Sequence, residues 1–429
     1  MKIIDRSRIR LAFFVFVGVT SACAGAATPI ELTFYDNAGD VGAAKDISVF
    51  EGRNPDIKIK LITFASEEYK TQLRVAVAGG NIPDVYATNG GETFWEYVER
   101  GAAMDLTDVA KQRSWPSRTY PEFMAIDTDK DGRIWGMPWS TTQYWQSLFY
   151  DKGFFQQHNI PIPKTIEEMG KVATKIKQNG RYAIAFGDKD GWPAIIMLGD
   201  LLMQQVRPDL IGKLNTGELK WTEFEPARKA FQAIKELTAE QAFAPGFISM
   251  NHEAAIMAWV GRRTAMLYNG TWWPEVAKTA SPGFEIGVMS FPMLDPAKEL
   301  QGTQFGASIQ ILISSKLEGT KKDAAIRFVD FLVSDEGMTL YGDAKAAPTS
   351  NPVANQKITN IAPFFREPVF TRQGNLPKMV EYLDHAFPIP VIEVIKVELQ
   401  KVMQNQTTID EALAAIESAH GAERTKTVK

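Results

Sequence analysis

Strand and helix patterns alternate near the start of this chain in an order that few folds accommodate. The order is strand, helix, strand, helix, strand, over residues 30–35, 41–51, 57–62, 67–78 and 84–87. Glu67 and Glu68 open the second helix, where acidic side chains favour the positive end of the helix dipole. A βαβαβ order predicts a parallel sheet with right-handed crossover connections.

A second α/β region follows an aromatic segment at 135–150. Thr165 and Glu168 form a capping-box pattern at the start of a helix that runs to Asn179-Gly180. Further helical patterns cover 193–205, 226–239 and 252–259, and strand patterns cover 182–186, 264–268 and 285–289. Because 429 residues are enough for two hydrophobic cores, we predict two α/β lobes packed together.

The N-terminal segment has the features of a secretory signal peptide. Its apolar run, 11–19, is too short to span a membrane and follows the basic residues Lys2, Arg6, Arg8 and Arg10. Ala24-Gly25-Ala26 offers a cleavage site that would start the mature chain near Ala27, so residues 1–26 are the predicted leader and the protein is expected in the periplasm. The alternative is a lipid anchor on Cys23, which ends a lipoprotein-like box.

The balance of charge argues against nucleic acid as a partner. The whole chain has 47 basic and 51 acidic residues, and removal of four basic residues and one acidic residue with the leader leaves 43 against 50. The mature net charge is then −7, the wrong sign for a phosphate backbone. Cys23 is the single cysteine, so the chain after the leader has neither disulfides nor thiolate chemistry.

A near match to a calcium loop occurs at Asp127-Thr128-Asp129-Lys130-Asp131-Gly132. Position twelve of such a loop needs a bidentate glutamate, but Pro138 stands there. Trp135 to Pro138 has the pattern of a strand and not of an exiting helix. We therefore predict a tight polar turn before a strand and no metal site.

Catalytic motifs are equally incomplete. His252-Glu253 begins like a zinc-protease helix but has no second histidine four residues on, and the four histidines His158, His252, His385 and His420 support packing or surface roles. Glu67-Glu68 and Glu167-Glu168 could suggest a glycosidase pair. Adjacent helical residues diverge by about 100°, so these glutamates fit helix starts better, and no catalytic residue or cofactor is predicted.

Aromatic and amide side chains remain as candidate binding groups. The stretch from Trp259 to Trp273 indicates a helix end, a buried strand and a glycine turn that presents two indoles. Sugars combine apolar faces with a rim of hydroxyl groups, so a sugar site needs flat rings beside amides and carboxylates. The chain offers both kinds of side chain at strand ends.

The chain resembles the family 1 extracellular solute-binding proteins of bacterial ABC importers, the group that includes maltose-binding protein. The resemblance covers nearly the whole mature chain and rests on the order and spacing of several segments. They are residues 69–85, 131–139, 148–152, 261–272, 328–341 and 347–349.

The resemblance implies a two-lobed α/β fold with a ligand cleft between the lobes, about three hinge crossings and closure around the ligand. By position, the crossings would lie near 143–146, 302–306 and 345–348. The N-terminal lobe would then comprise 27–143 plus 306–345, and the C-terminal lobe 144–305 plus 346–429.

The resemblance also implies ligand contacts. Trp272 matches the family's stacking aromatic after the Asn269-Gly270 turn, with packing in the lobe as the alternative. The other candidates are Asn37, Glu67, Asn89, Glu92, Trp139, Tyr144, Trp192 and the backbone of Gly306. For Asn37, Glu67 and the segment 89–92, a solvated loop or helix cap is the alternative, and for Trp139 it is the core. Asn37 stands where maltose-binding protein has charged groups, so malto-oligosaccharide specificity is not implied.

The implied function is capture of a carbohydrate or polyol by a monomeric protein and its delivery to ABC permease subunits in the inner membrane. No bond would be made or broken. Two alternatives stay open: a secreted carbohydrate-active enzyme with two cleft carboxylates, and a binding protein for a non-sugar solute such as an oligopeptide, a polyamine or a glycerol phosphodiester.

Overall fold

The computed structural model describes residues 28–37, 41–64, 66–142, 147–207, 209–270, 284–298, 303–363 and 379–427. The strands are β1 Ile30–Asn37, β2 Ile57–Phe64, β3 Val85–Thr88, β4 Met137–Thr142, β5 Ser147–Asp151, β6 Tyr182–Ala185, β7 Thr264–Asn269, β8 Ile286–Met289, β9 Thr303–Ile313 and β10 Met379–Glu381.

The helices of the first half are α1 Val41–Arg53, α2 Ser66–Ala78, α3 Glu92–Glu99, α4 Thr107–Gln112, α5 Pro121–Met124, α6 Lys152–Gln157, α7 Ile166–Gln178, α8 Trp192–Met203 and α9 Asp209–Thr216. Those of the second half are α10 Glu225–Ala239, α11 His252–Val260, α12 Gly319–Leu332, α13 Asp335–Lys345, α14 Pro352–Lys357, α15 Ile389–Met403 and α16 Ile409–Thr427. Short 3₁₀ turns occupy Trp115–Arg118, Trp221–Glu223 and Phe247–Ser249.

The first sheet has the order β10-β9-β3-β1-β2, and β4 also pairs with β9. β1 pairs in parallel with β2 and with β3, which confirms the parallel arrangement expected from the βαβαβ order. β9 runs antiparallel to both β3 and β4, so the complete sheet is mixed. The sequence pattern did not reveal this strand, because β9 enters the sheet more than two hundred residues after β3.

The core of the first lobe lies between this sheet and helices α1, α12 and α13. Phe34 of β1 contacts Phe328 of α12 edge to face, at 5.5 Å between ring centroids. Phe50 of α1 contacts the same ring at 5.1 Å. These buried aromatic rings hold the sheet at a fixed distance from its helices, and so fix where the strands end.

The second sheet has the order β6-β7-β5-β8. β6 and β7 are parallel, whereas β5 pairs antiparallel with β7 and with β8. Its core includes buried side chains of α7, α8, α10, α15 and α16, among them Phe231 of α10, and also Trp221 of the second 3₁₀ turn. The C-terminal helices therefore belong to the second lobe.

The chain passes from one sheet to the other between β4 and β5 and returns between β8 and β9. The expected crossings near 143–146 and 302–306 stay predictions, since 143–146 and 302 lie outside the described residues. Near the third, Ala346 packs in a cluster with Phe149 of the second sheet, but Ala354 of α14 lies in the core of the first. The lobe boundaries stay a prediction, and this packing indicates that the first lobe continues beyond Lys345.

Two local predictions are confirmed. Asp129 accepts hydrogen bonds from the backbone N–H groups of Asp131 and Arg133, both at 2.9 Å, which forms the polar turn expected in place of a calcium loop. Thr165 accepts from the backbone N–H of Glu168 at 3.1 Å and caps α7. Among the described residues, no helix is long and apolar enough to cross a membrane.

Candidate functional site

Three elements of the first lobe bring polar groups to one edge of its sheet. β1 ends at Asn37, whose backbone lies opposite Phe64 at the end of β2, and Asn89 follows the end of β3. Glu67 lies in the first turn of α2. The carboxyl ends of parallel strands are where open α/β sheets bind ligands. The side chains of Asn37 and Glu92 lie outside the described part of the structure.

A cavity of about 70 Å³ separates this edge from the second lobe. The first lobe contributes Glu67, Lys70, Thr71, Arg74, Asn89 and Thr93, and the second contributes Asp384, His385, Ile389, Ile392, Glu393 and Lys396. The sequence-predicted residues Glu67 and Asn89 are thus brought together on one wall. A cavity of this volume can hold several water molecules between the two walls.

Ion pairs occupy both walls of the cavity. Lys70 lies 2.7 Å from Glu67 on α2, and Lys396 lies 2.8 Å from Glu393 on α15. Burial lowers the pKa of His385, and the positive charges of Lys70 and Lys396 lower it further against the opposing effect of Asp384. The imidazole is therefore held in its neutral form between two lysines.

The turn after β6 carries two carboxylates. Asp188 is fully buried and accepts a hydrogen bond from the backbone N–H of Ala194 at 2.9 Å, and burial raises its pKa to about 7. Asp190 is half-buried, and its pKa is also raised, first by burial and then by the negative charge of Glu67 in the first lobe. Gly191, with φ of +75°, lies directly against the side chain of Lys396.

Trp192, a sequence-predicted site residue, begins α8 immediately after this turn. It is half-buried, and its ring lies 4.9 Å from that of His252, with the planes tilted by 55°. The position follows from the sequence because Gly191 adopts a left-handed conformation that ends the turn and lets Pro193 occupy the first helical turn.

Asn269 ends β7, opposite Ser147 of β5, and is fully buried. Its Oδ1 accepts the backbone N–H of Gly270 at 2.8 Å, which assigns the orientation of the amide. The Nδ2 group has no hydrogen-bond partner among the described residues. A buried amide donor without a partner is costly, by about 1–3 kcal/mol, so it needs an acceptor from outside the described residues.

Trp139 corrects one expectation. Its side chain is completely buried in the core of the first lobe, 4.6 Å from the ring of Tyr341 and 5.7 Å from that of Phe34. It is a core residue and not a cleft side chain, because β4 turns it toward α13. Of the remaining candidates, Gly306 lies in β9 opposite Thr142, and Tyr144 and Trp272 lie outside the described residues.

Four residues of this region were not among those predicted from the sequence: Lys70, Asp190, His385 and Lys396. Lys70 follows Glu67 by three residues, which is one turn of α2, and that spacing could have indicated it. Asp190 and His385 are far apart in the chain, and only folding brings their segments to the same gap. Among the described residues, no group of three or more His, Cys, Asp and Glu side chains is arranged to hold a metal ion.

The fold and this two-walled site define a class of two-lobed binding proteins. The chain belongs to the bacterial extracellular solute-binding protein family, whose model matches residues 47–366. It is similar to the uncharacterized ABC transporter extracellular-binding protein PH1039 of Pyrococcus horikoshii, at 27% identity over 234 residues. That match covers 53% of this chain and 52% of the relative, so the chain matches about half of the relative's length.

The chain is also similar to the multiple sugar-binding protein of Streptococcus mutans, at 23% identity over 324 residues. This match covers 72% of each chain. Among solved structures, a chitin oligosaccharide binding protein has a TM-score of 0.81 at 20% identity, covering 92% of this chain and all of that chain. At this identity the structural likeness establishes the fold.

Proposed function

We propose that this protein captures a neutral, hydroxyl-rich solute, a carbohydrate or polyol, between its two lobes and delivers it to an ABC permease. The observation that carries the proposal is the buried Nδ2 group of Asn269, which has no partner among the described residues at the carboxyl end of β7. A ligand hydroxyl oxygen is the kind of acceptor that would satisfy it.

The chemistry of the other wall supports a sugar. Glu67 and Asn89 offer a carboxylate and an amide at the edge of the first sheet, and Trp192 offers a half-exposed ring on the second lobe. We further propose that Trp272 is a stacking platform, with Asn37, Glu92, Tyr144 and Gly306 as additional contacts. Similarity to proteins named for sugar binding supports the same class of solute.

In this proposal the protein is exported through its N-terminal segment, acts in the periplasm as a monomer and has no catalytic role or cofactor. Lipidation of Cys23 is the alternative anchor. The partners are the permease subunits that receive the solute. The division into lobes at 143/144, 305/306 and 345/346 belongs to the same proposal, with the extension of the first lobe noted above.

The primary test is a thermal-shift screen of the chain from residue 27 onward against mono- and oligosaccharides, polyols, peptides and polyamines. We expect saturable stabilisation by one carbohydrate or polyol, because a ligand that binds only the folded state raises its stability. The mixtures are then analysed by mass spectrometry. Turnover of the stabilising sugar would favour the alternative enzyme, and stabilisation only by peptides or polyamines would refute the sugar proposal.

Asn269→Asp tests the observation itself. This change preserves the acceptor for the N–H of Gly270 but replaces the Nδ2 donor by a carboxylate oxygen, which cannot donate a hydrogen bond to a ligand oxygen. We expect at least about tenfold weaker binding of the best solute, since a hydrogen bond and its unmet partner contribute about 1–3 kcal/mol. Asn251→Asp is the matched control, because Asn251 caps α11 through its Oδ1 and aspartate caps equally well.

Trp272→Ala tests the stacking platform by the same titration. We expect about tenfold or greater loss of affinity, since an aromatic contact contributes about 1 kcal/mol or more beyond its buried area. Trp273→Ala is the neighbouring control, because we propose that this ring packs within its lobe. Equal affinity losses for the two variants would contradict the assignment of Trp272.

A further inference from the structure

Another cavity lies wholly within the second lobe, and we call it the β6 cavity. Its volume is about 290 Å³, close to the lower limit of about 300 Å³ for small-molecule sites. The end of α7, the start of β6, the end of α10 and the loop 241–247 form its walls. Tyr182 begins β6, whereas the turn that leads to Trp192 follows the other end of this strand. The β6 cavity is therefore separate from the gap between the lobes.

Two aromatic side chains line the β6 cavity. Tyr182 is 43% exposed, which is a large fraction for a tyrosine on a strand. Phe247 is half-buried, and its ring lies 5.1 Å from that of Phe243, which stacks on Phe186 at 4.6 Å. The cavity thus combines an accessible ring with a ring held by the core of the lobe. Flat apolar surfaces of this kind suit the C–H face of a sugar ring.

Polar groups beside these rings can bind hydroxyl groups. Gln241 follows the end of α10 with φ of +55°, a position that favours glycine. Its Oε1 accepts a hydrogen bond from the ammonium group of Lys177, which leaves Nε2 as a donor. The hydroxyl group of Thr238 donates to the backbone oxygen of Ile234 at 2.9 Å, so its oxygen can accept from a ligand. The lining therefore offers both a donor and an acceptor.

The charge of the β6 cavity is positive. Among the described residues that line it, Lys177 is the only charged one, and its hydrogen-bond partner Gln241 is neutral. The carboxylate of Glu240, the neighbour of Gln241, lies against Gly170, about two turns before Lys177 on α7. No carboxylate of the lining balances the ammonium group, so a complementary ligand is an anion.

We propose that the β6 cavity binds an acidic sugar, a hexuronate unit. Its ring stacks on Tyr182, its carboxylate pairs with the ammonium group of Lys177, and its hydroxyl groups contact Gln241 and Thr238. A neutral sugar would meet the same ring and amide but would leave the ammonium group without a counter-charge. This site goes beyond the proposed function, because all of its walls belong to one lobe and a bound hexuronate leaves the gap between the lobes free.

Titration calorimetry of the chain from residue 27 onward tests the proposal. The probes are glucuronate and galacturonate, with glucose and galactose as neutral counterparts and benzoate as a ring acid without hydroxyl groups. At least one hexuronate should bind about two- to fivefold more tightly than its neutral counterpart, the range for a solvent-exposed charge pair. The same affinity should be retained in Asn269→Asp, since that change lies at the carboxyl end of β7 and outside the β6 cavity.

Two substitutions locate the site. Tyr182→Ala should weaken hexuronate binding by about three- to tenfold, and Tyr182→Phe, which retains the ring, should preserve most of the affinity. Lys177→Gln should remove the preference for the hexuronate over its neutral counterpart. Lys175→Gln is the matched control on the same helix, because the ammonium group of Lys175 donates to the backbone oxygen of Asn159 and does not line the cavity.

The proposal would be overturned by any of three results. They are no saturable hexuronate binding at millimolar concentrations, equally tight binding of benzoate, or unchanged hexuronate binding in both Tyr182→Ala and Lys177→Gln. Thermal unfolding of each variant verifies that it is folded. None of these results bears on capture of a solute between the lobes, which Asn269→Asp tests with the solute found in the thermal-shift screen.

Discussion

The indole nitrogen of Trp221 donates a hydrogen bond to Nδ1 of His420 at 3.1 Å, which ties the last helix to the second core. Since an indole N–H only donates, Nδ1 accepts and Nε2 carries the proton, directed at Oδ1 of Asn215, also at 3.1 Å. The neutral ring satisfies both partners. Burial lowers the pKa of His420 to about 4, and the charge of Arg424 contributes to the shift.

This contact predicts a pH-dependent stability. The unfolded histidine has a pKa near 6.5, above the folded value, so the contribution is fully present above pH 6.5 and is lost as pH falls toward about 4. The limiting slope is about 1.4 kcal/mol per pH unit. Urea unfolding between about pH 7.5 and about pH 4.5 should give a shallower dependence for His420→Gln, which retains one acceptor and one donor.

His158→Gln is the control for replacing a histidine in the same lobe, at a half-buried position beside Phe154. It should retain the slope of the unmodified protein. An equal change of slope in both variants would show that His420 is not the group responsible.

Asp188 predicts a dependence of the opposite sign. Its folded pKa, about 7, lies above the ordinary value of 3.8, so the folded state holds a proton that the unfolded state has lost between these values. Stability therefore falls as pH rises through this window. Relative to the unmodified protein, the free energy of unfolding of Asp188→Asn should increase by roughly 1–3 kcal/mol between about pH 5 and about pH 8. Exposed Asp108→Asn should show no such gain.

Trp139 and Trp192 should separate stability from binding. Trp139→Ala removes a completely buried indole and should lower the free energy of unfolding by about 3–5 kcal/mol, with affinity of the folded fraction nearly unchanged. Trp192→Ala, at a half-exposed position, should weaken binding more than it weakens folding. Chemical denaturation and ligand titration of both variants measure the two effects. If Trp139→Ala mainly weakened binding and Trp192→Ala mainly weakened folding, both assignments would be wrong.

Gly187 predicts a steric limit beside the candidate site. A Cβ atom there would lie 2.3 Å from the backbone oxygen of Asn251. Because the clash is with a backbone atom, side-chain movement cannot relieve it. Gly187→Ala should destabilise by about 1–3 kcal/mol. Gly212→Ala, in α9 with open space around the position, should instead stabilise by about 0.5–1 kcal/mol. Thermal unfolding of the pair tests the contrast.

Local patterns allowed much of the fold to be predicted. The alternation in β1 and β2 depends on residues two apart, and the start of α7 depends on Thr165 and Glu168, three apart. Even so, β4 begins at Met137 and not at Trp135, and β3 extends to Thr88. Strand ends depend on neighbouring strands, which are remote in sequence.

Trp139 illustrates why the candidate site was harder to predict than the elements. Its strand was recognisable, but the face of β4 that meets Tyr341 of α13 depends on the pairing of β4 with β9. The strand β9 lies more than 150 residues further along the chain. A one-residue difference in register would turn the indole to the other face of the sheet.

The sequence by itself determined the alternation of helices and strands, the resemblance to its family and the polar residues at strand ends, since these depend on neighbours within a few residues. Only the tertiary structure decided that Asn269 is buried with a donor that has no partner among the described residues, and that Glu67 and Lys396 line the same cavity. Burial and the distance between charges depend on the packing of segments that lie far apart in the chain.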